Sequence, residues 1–585
     1  MRVFSSTAAL LAGLALGASA AVVTAHGEPS LNREGIRHVL LISIDGMHSV
    51  DFINCVHGVA SVNNGAPYCP RLAELREHGV DYLDSNTSRP SDSFPGLMSI
   101  VSGGLPRSLG VYYDVAYDRS LAPPAVTTGN GLSAGNCMPG QFPGTTTEYE
   151  EGIDINQGLV NGGAPGAGLT DGTAASIDPQ RLVRDPAHGC APVYPWNFVR
   201  LNTIFSVIHQ AGGYAAWSDK HPAYASVSGP QSGMPVNLPH NLDDFYAPEI
   251  NSNVVGLPGV ATPTGVHCDQ VQDPNSDLTA WTNSFVNIQC YDQLKVNGIL
   301  NQIDGWKHNR SARAPVPNIF GMNFQAVSVG QKLIEPAAGV GGYSDAGGTP
   351  NPELLNEIQY VDATIGQFVA ELRRQGLRDS TLIVITAKHG QSPIDTARYV
   401  GISSAGPVTT SPSRIIDSCL PDSESNAGNQ IGPTEDDVSL LWLRSTCDAA
   451  TEAALIESSS PASNNVAGVG QIFYGPAITQ LFNAPGLPPK GDPRTPDIVV
   501  TSNVGVTYSG STAKHAEHGG FAHDDTNVML LLSNPAFRPH TVYSEVGTLQ
   551  VAPTILRALG LDPRGLDGVR FEGTGALPDV KLDFN

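Results

Sequence analysis

The sequence predicts an α/β protein built on a doubly wound, mostly parallel central sheet, with helices on both faces and long loop insertions. Three observations carry this expectation. Short, almost continuously apolar runs, notably Val39 to Ile44 and Leu382 to Ile385, stop abruptly at polar residues, the pattern of strands buried on both faces. These runs alternate with amphipathic stretches. The longest, Glu353 to Gln375, places Leu354, Ile358, Val361, Ile365, Phe368, Val369 and Leu372 on one helical face, and such alternation is the mark of a parallel, doubly wound sheet. The 585 residues include 63 Gly and 45 Pro, gathered in stretches with no sustained periodicity, as in a loop-rich globular chain. The length exceeds one ordinary core, so one large α/β domain with sizeable insertions, or two domains, is expected.

Residues 1–20 begin with Arg2, continue through the apolar run Ala8 to Leu16 and end in Ala18-Ser19-Ala20. This is the layout of a secretory signal peptide and predicts a secreted, extracellular protein. No later segment approaches about 20 uninterrupted apolar residues, so no membrane span is expected. The eight cysteines are an even set in an export context and predict disulfides. Near-neighbour pairing such as Cys55–Cys69 and Cys268–Cys290 is the simplest arrangement. Asn86-Thr87-Ser88 and Asn309-Arg310-Ser311 are glycosylation sequons. The formal net charge of −23 argues against nucleic acid as a partner, because phosphates would be repelled. An anionic substrate would need local positive charge.

The first apolar run stops at Asp45-Gly46. Ligands in open α/β sheets bind beyond the carboxyl ends of strands, which places Asp45 at the edge of a crevice unless Asp-Gly is only a turn signal. Arg71 to His78 reads as a short helix. Ser93-Phe94-Pro95 opens another; a hydroxyl at a helix N-terminus either serves an anion or merely caps. Residues of about 114–195 look like an insertion tied down by Cys137 and Cys190. Asn202 to Gln210 is a helix, and the strand after it ends in Asp219-Lys220-His221, either site residues or a solvated turn. Residues 222–275 read as loop, followed by a helix from Tyr291 to Gln302 and a strand from Pro317 to Asn323. The strand after the long helix ends in Lys388-His389-Gly390. Later strands are expected at Ser439–Leu443, Asp497–Thr501 and Asn527–Leu532, with Glu517-His518-Gly519-Gly520 before the last of them. A final helix is expected from Val546 to Leu559.

Asp45-Gly46, Ser93-Phe94-Pro95, Lys388-His389-Gly390 and His518-Gly519, in this order and with the closing run Gln550 to Leu556, resemble the alkaline phosphatase superfamily. The resemblance is closest to its type I phosphodiesterase/nucleotide pyrophosphatase branch and spans about 36–575. It implies one alkaline phosphatase-like domain with insertions at about 114–195, 222–316 and 394–436, and a secreted hydrolase acting on a small anionic phosphate ester. It also implies Ser93 as nucleophile and a divalent metal held by Asp45, Ser93, His389 and His518. Asp219, His221, Asn323, Asp524 and Asp525 are further candidates. Mixed Asp and His ligands suit zinc.

The chain departs from that pattern. Lys388 stands where the family has a metal-binding Asp, the stretch Asn323 to Val329 offers neither Asp nor His where an Asp and a His bind the other metal, and Gly96 replaces an Asn. One ion rather than two is therefore expected, with Lys388 as a catalytic residue supplying the missing charge. The alternatives are a catalytically weakened relative that binds an anionic ligand or partner, and a sulfatase-like hydrolase. The latter lacks the Arg that sulfatases carry after their nucleophile.

Overall fold

The computed structural model describes residues 31, 35–129, 131–149, 174–231, 237–251, 255–256, 259–260, 262–271, 273, 280–426, 431–459, 466–509 and 512–582. The segment read as a signal peptide lies outside the described residues.

Eight strands form the central sheet: β1 (His38–Ile44), β2 (Gly79–Tyr82), β3 (Ala216–Ser218), β4 (Asp244–Tyr246), β5 (Ile319–Phe324), β6 (Thr381–Thr386), β7 (Leu530–Ser533) and β8 (His540–Val542). Their order across the sheet is β8-β2-β7-β6-β1-β5-β3-β4. β6, β1, β5, β3 and β4 run parallel. β7 pairs antiparallel with both β6 and β2.

Side-chain alternation along β1 fills two separate cores. Val39 and Leu41 face one side, where the buried residues include Phe94, Leu97, Met98 and Val101 of helix α1 (Ser93–Ser102). Leu40, Ile42 and Ile44 face the other, against α2 (Phe285–Ile303) and α3 (Pro352–Arg374). A strand buried on both faces has no solvated side, which is why its sequence is a continuous apolar run. Helix α4 (Val551–Ala558) returns to the α1 side.

The same alternation places the polar residues beyond each strand. Val39, Leu41 and then Asp45 share one face, as do Leu382, Val384 and then Lys388, or Ala215, Trp217 and then Asp219. Asn323 and Gln325 follow Ile319 in the same way. With a period of two, all of these side chains point toward the side that carries α1.

The structure differs from the sequence reading in three places. Residues 222–275 include a 3-10 helix at Pro222–Ser228 and the edge strand β4; three residues between Pro- and Asn-rich turns are too few to show a period. Of the later strands, Val438–Leu441 and Ile498–Ser502 belong to a separate antiparallel sheet with Thr434–Glu435 and Val469–Tyr474. The final helix starts at Val551, because Val546–Gly547 pairs with Ser85–Asn86 instead. Four disulfides join Cys55–Cys69, Cys137–Cys190, Cys268–Cys290 and Cys419–Cys447.

Candidate active site

The carboxyl ends of four adjacent strands, β6, β1, β5 and β3, meet the N-terminus of α1. The Asp92 carboxylate caps that helix by accepting from Phe94 N at 3.1 Å and also accepts from Asp114 N at 3.0 Å. The capping role is therefore taken by Asp92, which leaves the Ser93 hydroxyl for other partners. Gly96 lets the helix close down: a Cβ there would lie 2.2 Å from the Lys388 carbonyl oxygen. This close approach explains why the position expected to hold an Asn holds a glycine. Gly46 takes a left-handed turn (φ +82°), and its N–H donates to the His389 carbonyl at 3.1 Å, so Asp45 and the Lys388–Gly390 turn are tied together. Gly390 N donates in turn to the Asp525 carbonyl at 2.7 Å.

Ser93 Oγ lies 3.0 Å from His389 Nε2, 3.0 Å from Lys220 Nζ and 3.5 Å from Asp45 Oδ2. The roles follow from donor and acceptor chemistry. The Lys220 ammonium can only donate. His389 Nδ1 is 2.8 Å from the Gly390 carbonyl oxygen, which can only accept, so Nδ1 carries the hydrogen and neutral His389 presents a lone pair at Nε2. The Ser93 O–H therefore donates to His389.

Asp45 is completely buried and heavily contacted. Oδ1 accepts from Asn323 Nδ2 and Oδ2 from Gln325 Nε2, both at 2.7 Å. The ammonium nitrogens of Lys220 and Lys388 lie 3.7 and 3.8 Å from Oδ2. Burial works to raise the Asp45 pKa, but Lys388, His389, Lys220 and the Gln325 hydrogen bond outweigh it and hold the carboxyl far below its ordinary value. Lys388, with no solvent exposure, donates to Asp219 Oδ1 at 2.8 Å and sits 4.1 Å from the centre of the Tyr224 ring. Asp219 also accepts from Trp217 Nε1 at 3.0 Å and from Lys220 N at 2.8 Å.

His518 brings its ring to 4.0 Å, centre to centre, from that of His389. Its loop is held by Gly519 N donating to the Ser91 carbonyl at 3.1 Å. Burial pushes the His518 pKa well below its ordinary value, reinforced by His389 whenever that ring is protonated and by the positive charges of Lys332, Lys220 and Lys514, so the His518 ring is neutral.

Asp45, Ser93, Asn323, Lys388, His389, His518 and Asp219 thus come together. Three other candidates serve elsewhere. His221 is paired with Glu249 at 2.8 Å, Asp524 accepts from Ile394 N at 2.9 Å, and Asp525 accepts from Ala522 N at 3.2 Å. The sequence reading left Lys220 undecided and missed Gln325. Lys220 is legible in retrospect, because Lys-His recurs at the ends of β3 and β6, whereas for Gln325 the β5 alternation gives only the face on which it lies. The side chains of Lys220 and His518 are 11% and 14% exposed, whereas Ser93 and Asp45 have no solvent exposure.

The model of the type I phosphodiesterase/nucleotide pyrophosphatase family matches residues 39–140 and 343–522. Over these residues the chain matches this family, which lies within the alkaline phosphatase superfamily. The two matched segments carry Asp45, Ser93, Lys388, His389 and His518. No curated protein matches the sequence. Among solved structures, murine ectonucleotide pyrophosphatase/phosphodiesterase 5 is 14% identical with a TM-score of 0.49, covering 90% of this chain and 96% of its own. An inactive variant of the murine protein in complex with AMP gives 14%, 0.50 and the same coverage. The human protein gives 11% and 0.46, over 90% and 95%. The shared property is the alkaline phosphatase-like fold.

The family consists of metal-dependent phosphate-ester hydrolases, so its ions must be tested against these residues. The donor set does not fit them. Both oxygens of Asp45 are taken by amide N–H groups, and two ammonium groups flank Oδ2. A protonated lysine offers no lone pair and repels a cation. Among the described residues no three His, Cys, Asp or Glu donors at this site lie within 4.8 Å of one another, and the one group that does, Cys419, Cys447 and Glu452, has its sulfurs in a disulfide. The zinc expected on Asp45, Ser93, His389 and His518 thus meets a site arranged around lysines.

Proposed function

We propose that the chain is an extracellular hydrolase of small phosphate esters that works through a covalent intermediate on Ser93. The observation that carries this reading is Ser93 Oγ held between His389 Nε2 and Lys220 Nζ, each at 3.0 Å. A serine hydroxyl is a weak nucleophile until a base takes its proton. Here Oγ forms the new bond to phosphorus, the ester P–O bond breaks on the opposite side with the leaving oxygen taking a proton from solvent, and the hydroxyl proton passes to His389 Nε2. Water then attacks the phosphoseryl group. As the P–Oγ bond breaks, His389 returns its proton to Oγ, and the attacking water loses one to solvent. Charge developing on the phosphoryl oxygens is met by the ammonium of Lys220 and, beside it, that of Lys388. Asp45 orients this pair. The four disulfides support an oxidising, extracellular setting, and among the described residues no helix is long and apolar enough to cross a membrane.

The depth of the site favours one second reading, a relative that binds an anion without turning it over, because Ser93 has no solvent exposure. Steady-state hydrolysis of bis(4-nitrophenyl) phosphate separates the two. The hydrolase reading expects Ser93→Ala to lower kcat by at least ~10³-fold with the fold intact. Turnover by neither protein would leave the binding reading standing, and equal turnover by both would overturn Ser93 as the nucleophile.

A further inference from the structure

We infer that this site works without a divalent metal, because its phosphoryl-facing charge is built into the chain as the ammonium groups of Lys220 and Lys388. The inference rests on the reading of Ser93 as a phosphate-ester site and names how that site binds its anion.

The first ground is placement. Lys220 Nζ lies against both the nucleophile and the central carboxylate, 3.0 Å from Ser93 Oγ and 3.7 Å from Asp45 Oδ2. Lys388 Nζ lies 3.8 Å from the same Asp45 oxygen and 2.8 Å from Asp219 Oδ1. Two cationic centres on one carboxylate, one of them also touching the nucleophile, are what a pair of metal ions would provide.

The second ground is that the lysines are held by dedicated partners. Asp219 is fully buried, and its oxygens accept from Lys388 Nζ, Trp217 Nε1 and Lys220 N. The ring of Tyr224 lies against Lys388, in the geometry that favours a cation over an aromatic face. Across the site, the fully buried Lys295 donates to the Asn323 carbonyl at 2.6 Å, and Asp292 accepts the backbone N–H groups of Gln325 and Ala326 at 2.9 Å each. The segment that carries amides where the family carries metal ligands is therefore fixed by its own buried ion pair, Lys295–Asp292 at 3.0 Å.

The third ground is charge. Lysine in place of an aspartate at position 388 raises the site by two units, and an amide in place of a carboxylate beyond β5 adds one more. Together they approach the charge that two divalent ions would bring. Proton removal from Ser93 is already assigned to His389, so no ion is required to activate the hydroxyl.

The test uses the full chain, purified without added metal and dialysed against EDTA. Metal content is measured by inductively coupled plasma mass spectrometry, inorganic phosphate binding by isothermal titration, and turnover with bis(4-nitrophenyl) phosphate. The inference expects metal far below one ion per chain and phosphate binding that survives EDTA. It expects turnover in EDTA within about twofold of the untreated value, and phosphate affinity at least about tenfold weaker in Lys220→Met and Lys388→Met, a loss of ~1.4 kcal/mol. Lys388→Met leaves Asp219 buried without its cation. If that variant does not fold, Lys220→Met, at a side chain that reaches solvent, carries the test alone. A retained stoichiometric ion, with EDTA abolishing phosphate binding or turnover and zinc restoring it, overturns the inference and leaves Ser93 as nucleophile. Lysine-dependent phosphate binding by the metal-free chain without any turnover supports the inference and overturns the hydrolase reading. Absence of both binding and turnover in the metal-free chain overturns the inference.

Discussion

Ser93 receives a hydrogen bond from a lysine and gives one to a histidine, so its neighbours split the work of charge and proton transfer between them. Each half is separately testable. His389 must be neutral to accept the proton, so kcat/KM should rise with pH as that imidazole deprotonates. His389→Gln keeps a hydrogen-bonding side chain of similar reach but removes the base. It should lower kcat by ~10²–10⁴-fold and flatten the acidic limb of the pH–rate profile measured on a phosphodiester. A variant that lost activity yet kept the limb unchanged would assign the base elsewhere. His518 is a poor substitute, since burial and its cationic neighbours hold it neutral but its Nδ1 faces Asp92 at 3.7 Å rather than Ser93.

Among the elements, the site depends on how closely α1 approaches the turn after β6. A side chain at position 96 would meet the Lys388 carbonyl at 2.2 Å, and backbone cannot move aside as a flexible side chain can. Gly96→Ala is expected to cost ~1–3 kcal/mol of stability in urea denaturation and to lower kcat, because Ser93 moves with the helix. Unchanged stability would show that the contact is looser than described. This level is also where the sequence was most and least informative. β1 and β6 were legible because strands buried on both faces leave unbroken apolar runs, and Asp45, Ser93, Lys388 and His389 sit at their ends or at a Pro-marked helix start. Gln325 was not legible as a site residue. An amide carries no catalytic signature of its own, and its role appears only when β5 is set beside β1, with Ser43 opposite Asn323. Lys220 was ambiguous for the opposite reason, since charged residues after a short strand usually mark a solvated turn. β4 could not be read at all, since its three residues gain their strand character from pairing with β3 rather than from any pattern of their own.

For the whole molecule, an acidic chain carries buried carboxyl groups that resist ionisation. Burial raises Glu424 to about 7, Asp436, also pressed by Glu517, to about 7, and Asp362 to about 6, from ordinary values of 4.5, 3.8 and 3.8. Over this window the folded chain binds more protons than the unfolded one, so stability falls as pH rises from about 4 to about 7. Asp45 acts oppositely. Its depressed value gives stability that is present above 3.8 and lost as pH falls below it. Scanning calorimetry across pH 3.5 to 8 should therefore find the highest Tm near about pH 4, and a Tm that climbed steadily to pH 8 would contradict the burial of these groups.

The proposed reaction begins with a bond forming between phosphorus and one hydroxyl. Acid quenching during turnover of bis(4-nitrophenyl) phosphate, followed by proteolysis and mass spectrometry, reads that bond directly. The expected result is a phosphoryl ester on Ser93, present in the natural chain and accumulated in a variant slowed in the second step, with no label in Ser93→Ala. Turnover with no modified Ser93 at any quench time, or a phosphoryl group found on another residue, would contradict it.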